Sequence, residues 1–214
     1  MKSQARNIRV FAAALAALAG FVDALGFLSI GGFFVSFMSG NSTRLAIGVA
    51  TTAQVALPAG LIASFVVGVM MGDAIGYLRP ARRRRDVLVG VSVLLMLASA
   101  AAQWKILPLA TLLAAAAMGA TNAVFAGVDG LPVGITYMTG TLVRLGQSLG
   151  ARWRGEDRGR SRVYLFHWCA LILGGVLGAM VEQRLGLSGL WVATGWATLL
   201  VAIAHYQPTY TSLG

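Results

Sequence analysis

Charge is what this chain lacks most. Aspartate and glutamate number seven in 214 residues, and charged residues of either sign make up 11% of the chain. A soluble domain carries about twice that share, so a soluble globular protein is the first class excluded. The single cysteine, Cys169, lies inside an apolar run, which leaves no disulfide framework and no cysteine metal site. His167 and His205 are far apart and have no ligand-type neighbours, so no metal-ligand spacing appears. Neither a Ser/His/Asp nor a Cys/His arrangement can be assembled. The expectation is a protein without catalytic residues, metal or cofactor, and not an enzyme.

Apolar residues are what is abundant. They make up 57% of the chain, and the mean hydropathy is +0.76. Six runs, 10–30, 56–78, 87–103, 107–128, 163–181 and 187–204, approach or reach the length that crosses a hydrocarbon core. The chain therefore reads as an all-α polytopic membrane protein whose main partner is the lipid bilayer. Its net charge of +10 does not point to nucleic acid, because the basic residues form short clusters between apolar runs, as cytoplasmic loops do. Lys2, Arg6 and Arg9 before an Ala-rich run resemble a signal peptide. The run continues through Phe21 to Ile30, however, which predicts a retained helix.

A further apolar stretch, 33–50, is interrupted by Ser39-Gly40-Asn41-Ser42, residues that favour turns and helix starts over helix interiors. The pattern returns at 135–150. There Met138, Gly140, Arg144 and Leu145 repeat Met38, Gly40, Arg44 and Leu45, with Tyr137 for Phe37 and Thr139 for Ser39. The halves match elsewhere too: Asp23 pairs with Asn122, and Gly68 and Gly72 pair with Gly174 and Gly178. The glycine pairs read as helix-packing faces. We divide the single membrane domain, 1–214, into a first repeat at 7–103 and a second at 107–206.

Three apolar segments separate the cluster Arg79 to Arg85 from the cluster Arg152 to Arg162. Both clusters belong in the cytoplasm only if one segment enters and returns. The interrupted segment is the natural choice, and the same count holds between the N-terminus and Arg79. Six transmembrane helices plus two re-entrant broken segments then place 13 of the 17 basic residues in the cytoplasm, with both termini. Three spans per half make the duplication an inverted internal repeat, an architecture shared by many secondary transporters.

The half-helices that resume after each break would aim free N–H groups and their positive dipole ends at mid-membrane, which favours anions or electron-rich groups. The expected substrate-binding residues are Asp23, Ser39, Gly40, Asn41 and Arg44 from the first half. Asn122, Thr139, Gly140, Thr141 and Arg144 come from the second. Arg44 and Arg144 supply fixed positive charge, or else pin neighbouring carbonyls. Asp23 is the first candidate to pair with them, with Asp73 and Asp129 as alternatives. Asp73 also has a plainer reading, as a partner of the arginines that follow it.

The stretches GFVDALGFLSIGGFFVSFMSGNSTRL and YMTGTLVRLGQSL, with their Val22-Asp23-Ala24 and Phe37-Met38-Ser39-Gly40-Asn41 elements, resemble the YoaK-like family of bacterial integral membrane proteins. That family is a domain of unknown function. The resemblance implies a multi-pass protein of the bacterial inner (cytoplasmic) membrane and implies no substrate or reaction. Two functions follow from the residues. One is a transporter or channel for a small, anionic-leaning solute bound between two half-helix N-termini. The other is a non-transporting scaffold or partner subunit whose glycine faces bind other helices. Six spans are few for a secondary transporter, and a homodimer is compatible with that count.

Overall fold

The computed structural model describes residues 2–126, 136–156 and 161–206, and the described chain is helical. Eight α-helices follow one another: α1 (Lys2–Ser29), α2 (Met38–Thr51), α3 (Ala56–Leu78), α4 (Arg83–Gln103), α5 (Leu107–Thr121), α6 (Met138–Trp153), α7 (Ser161–Leu185) and α8 (Leu190–Tyr206). Short 3-10 turns at Pro80–Arg82, Asn122–Phe125 and Gly186–Gly189 lie between them. Pro58 and Pro108 fall in the first turns of α3 and α5, where a missing N–H leaves no helical bond unmade.

Among the described residues, five stretches are long and apolar enough to cross a membrane: Arg6–Ser29, Ala56–Leu78, Pro80–Gln103, Leu107–Phe125 and Ser161–Tyr206. The last, 46 residues long, contains both α7 and α8. The helices α2 and α6 are not among them. With 14 and 16 residues they extend roughly 21 and 24 Å, short of a hydrocarbon core of about 30 Å. The span expected at 107–128 is helical to Thr121 and then tightens into the 3-10 turn. Its last two residues lie outside the described ones, as do Asp129, residues 131–135, part of the arginine-rich loop and the tail from 207.

Helix α1 lies against α7, and α5 lies against α3. Each contact is made where a glycine meets backbone. A methyl placed on Gly174 would overlap the carbonyl of Ala17, and one on Gly178 that of Phe21. A methyl on Gly68 would overlap the carbonyl of Ala116, and one on Gly72 would crowd Ala120. Reciprocally, Gly20 sits against Leu171 and Gly119 against Phe65. Small residues bring the backbones together here, and lipid tails offer no competing hydrophobic drive. Of the apolar stretches, those of α1 and α5 are each 67% buried, against 22% for α3, which makes α1 and α5 the centre of the bundle.

Side-chain pairs give the helix directions. Ala17 meets Gly174, Phe21 meets Gly178 and Ser29 bonds Glu182, so α1 and α7 are parallel. Gly60 meets Leu112 and Gly68 meets Ala116, so α3 and α5 are parallel. Ser99 bonds Thr194 and Gln103 bonds Trp191, so α4 and α8 are antiparallel. The ring of Phe21 meets Trp196 while Leu25 meets Gly189, so α8 also opposes α1. Helices α3 and α4 form a tight hairpin in which Gly76 packs on the Arg83 side chain. Thus α1, α4 and α7 run one way and α3, α5 and α8 the other. The end of α1 and the start of α3 lie at one end of the bundle; the end of α5 and the start of α7 lie at the other.

At the α3–α4 end, Arg83 donates from Nη2 to Asp73 Oδ1 at 2.7 Å and from Nε to the Ala123 carbonyl at 2.9 Å. Asp73 thus meets one of the arginines that follow it in sequence, Arg83. Arg84 lies over the rings of Phe11 and Phe125, at 5.5 and 5.2 Å. The two arginines tie α4 to α3, to the 3-10 turn after α5 and to α1.

Candidate functional site

The chain leaves α1 through Gly31 and Gly32, both at positive φ (72° and 86°), which lets it double back on α1. The returning segment is tied to Asp23, nearly two turns inside the helix. Val35 N and Ser36 N both donate to Asp23 Oδ1 at 2.8 Å, and Ser36 Oγ donates to Oδ2 at 2.8 Å. A carboxylate that accepts three donors satisfies backbone that has left helical bonding away from water. Asn41, fully buried, closes the loop from the other side. Its Oδ1 accepts from Phe34 N at 3.0 Å and its Nδ2 donates to the Phe34 carbonyl at 2.6 Å.

Helix α2 begins at Met38, two residues before Gly40, so the bend lies upstream of Ser39-Gly40-Asn41-Ser42 instead of within it. The N-cap, Phe37, makes no side-chain cap bond. Gly40 is needed for space: a Cβ there would press on the rings of Phe34 and Phe37, which pack edge to face. Ser39 is exposed. The Arg44 guanidinium lies 5.1 Å from the centre of the Phe33 ring and beside Gly32. Among the described residues Arg44 has no ion pair, so the expected pairing with Asp23 is not formed.

The second half repeats the tie in neutral form. Asn122 Oδ1 accepts from Thr136 N at 3.2 Å and from Thr136 Oγ1 at 3.1 Å, while its Nδ2 bonds the Met118 carbonyl at 3.0 Å. Helix α6 starts at Met138, and Gly140 lies under the Tyr137 ring. Thr141, in the position of Asn41, is buried and donates to the Tyr137 carbonyl at 3.4 Å. Thr139 and Arg144 are exposed.

The ten expected residues therefore fall into two groups, each around its own half-helix. Helix α2 packs on α3 and α6 packs on α7, and among the described residues α2 and α6 do not touch. The expectation of a solute bound between the two half-helix N-termini is corrected here. Each half-helix leans on the outer helix of a glycine-faced pair, which holds it to the side of the bundle. Ser36 and Thr136 are the residues that the sequence reading missed. They occupy equivalent positions one residue before Phe37 and Tyr137, and extending the repeat alignment by one step finds both hydroxyls.

A helical bundle with five apolar stretches of spanning length defines a multi-pass membrane protein. The chain belongs to the family described as "Protein of unknown function (DUF1275)", which matches residues 11–203. It is similar to a UPF0700 transmembrane protein of Rhizobium meliloti (strain 1021). The two are 38% identical over 203 residues, 92% of this chain and 85% of the relative. No solved structure matches the chain.

Proposed function

We propose that this protein is a carrier or channel of the bacterial inner membrane for a small solute, leaning to anions. It would have six spans, two re-entrant hairpins and an inverted internal repeat. The observation that carries the reading is the twice-used tie, Asp23 to Ser36 and Asn122 to Thr136. It holds the start of a short helix against a long apolar one, nearly two turns inside α1 in the first half and at the C-terminal end of α5 in the second. Support for inversion comes from direction: α1 opposes α5, α3 opposes α7 and α4 opposes α8. Non-helical backbone at membrane depth belongs where it is buried in protein or lines a watery cavity. In the loop 30–37 the tied residues Val35 and Ser36 are buried in protein, and broken helices of this kind bind solutes in transporters.

In this reading Arg44 and Arg144 provide the positive potential, each one to two turns inside its half-helix. Because α2 and α6 stand apart, a solute would meet one half-helix at a time. Protein in liposomes, assayed against a panel of small anions and weak acids, is expected to show flux that falls about tenfold or more in Arg44→Ala and Arg144→Ala, the loss of one charge-assisted contact of roughly 1.5 kcal/mol or more. Flux unchanged in both variants counts against the site.

A second reading, a non-transporting partner subunit, is favoured by the outer face of α2. Ser39, Ser42, Thr43, Ala46 and Ala50 are exposed there as a narrow stripe flanked by exposed Ile47 and Val49, where the lipid-facing surface of α3 carries bulky apolar groups such as Val66, Val67, Met70 and Met71. Recovery of one dominant crosslinked partner together with absence of flux would select it.

A further inference from the structure

Five arginines fall within residues 79–85, where α3 turns into α4. Arg83 and Arg84 face inward and hold the bundle, as described above. Arg79 and Arg85 converge instead on Asp86, at 3.6 and 2.9 Å. The Asp86 side chain is 10% exposed, that of Arg79 69% and that of Arg85 29%, so a sheltered carboxylate holds one guanidinium at the surface and a second partly exposed beside it. One negative charge between two positive ones leaves a surplus, and exposed Arg82 adds to it. These cations also crowd the first turn of a helix, the end whose dipole and free N–H groups favour anions.

The surroundings say which kind of anion. Tyr77 and Leu78, immediately before Arg79, are 80% and 76% exposed. Both α3 and α4 are long and apolar enough to span the bilayer, so the turn between them falls at the membrane–water boundary. Phosphate groups of lipids lie at that level, and an exposed tyrosine and leucine beside them contact the glycerol and upper acyl region. We propose that Arg79 and Arg85, set in place by Asp86, together with exposed Arg82 bind the phosphate headgroup of an anionic phospholipid, with Tyr77 and Leu78 against its glycerol end. This site is independent of any transport role.

The test uses the full chain in a neutral detergent, with lipid binding followed by native mass spectrometry and by the melting temperature relative to each variant's own lipid-free value. Phosphatidylglycerol is expected to bind and raise the melting temperature, whereas phosphatidylcholine and inorganic phosphate at equal concentration are not. Arg79→Gln combined with Arg82→Gln is expected to weaken phosphatidylglycerol binding by about 25-fold, roughly fivefold per arginine. Arg184→Gln, near the end of α7 at the opposite end of the bundle, is expected to leave it unchanged. Arg82→Gln alone, with an expected loss of about fivefold, serves if the double variant does not fold. Equal binding of the two lipids, or wild-type binding by the arginine variants, would overturn the proposal. An equal response to inorganic phosphate would overturn the assignment to lipid.

Discussion

Gly68→Ala and Gly174→Ala are each expected to destabilise the protein by about 3 kcal/mol or more, at or beyond the upper end of what overpacking usually costs. A single methyl at either position overlaps a backbone carbonyl, of Ala116 or Ala17, and a carbonyl inside a straight helix cannot swing aside. The helices would have to separate, losing the dispersion contacts that hold them together in lipid. The comparison is Gly146→Ala in α6, where nothing lies within 4 Å of the added carbon. That change should be neutral or gain up to about 1 kcal/mol from helix propensity. Loss of helicity on titration with a denaturing detergent measures all three. If Gly68→Ala proves as harmless as Gly146→Ala, the reciprocal α3–α5 and α1–α7 contacts are not what holds the bundle.

The second large effect belongs to Asp23. Replacing it with alanine leaves the N–H groups of Val35 and Ser36 and the Ser36 hydroxyl without their acceptor. Each unsatisfied buried group costs about 1–3 kcal/mol, so Asp23→Ala should cost at least about 3 kcal/mol or free the hairpin outright. Asp23→Asn keeps an oxygen facing the same two amides. Asn122 plays that part toward Thr136 in the other half, so the asparagine variant should cost about 1 kcal/mol or less. The pair of variants separates geometry from charge. Denaturation gives the stability, and limited proteolysis at 30–37 reports release of the loop. Equal behaviour of the two variants would mean that the carboxylate holds the hairpin by charge, or not at all.

Much of this arrangement was legible in the sequence. The span 56–78 coincides with α3 at both ends, because its apolar run is bounded by uncharged polar residues on one side and by Arg79-Pro80 on the other. The matched pairs Gly68/Gly174 and Asp23/Asn122 pointed to equivalent contacts, and the structure gives each pair the same kind of partner. The position of the bend was misplaced. Ser39, Gly40 and Asn41 are poor residues for a helix interior, but the first turn of α2 asks little of them, since its N–H groups need no helical acceptor. The bend is made by Gly31-Gly32 and held from a distance by Asp23, and a tie across 13 residues leaves no local pattern. The lateral separation of α2 and α6 was hidden for a related reason. Hydropathy and charge speak to depth and sidedness, whereas position in the membrane plane depends on which glycine face meets which helix. Arg44 offers a similar lesson. Its stacking on Phe33 is a short-range contact that a search for an acidic partner passes over.

The account stands on each short helix returning to the side from which its hairpin entered. With Cys169 replaced by serine, single cysteines at Thr51, Arg82, Lys105 and Arg154 can be probed in intact and permeabilised cells with a membrane-impermeant thiol reagent. Thr51 and Lys105 should label in intact cells, and Arg82 and Arg154 only after permeabilisation. Labelling of Arg82 and Arg154 from opposite sides would mean that α6, which lies between them with the spans α4 and α5, crosses the bilayer, and would contradict the account.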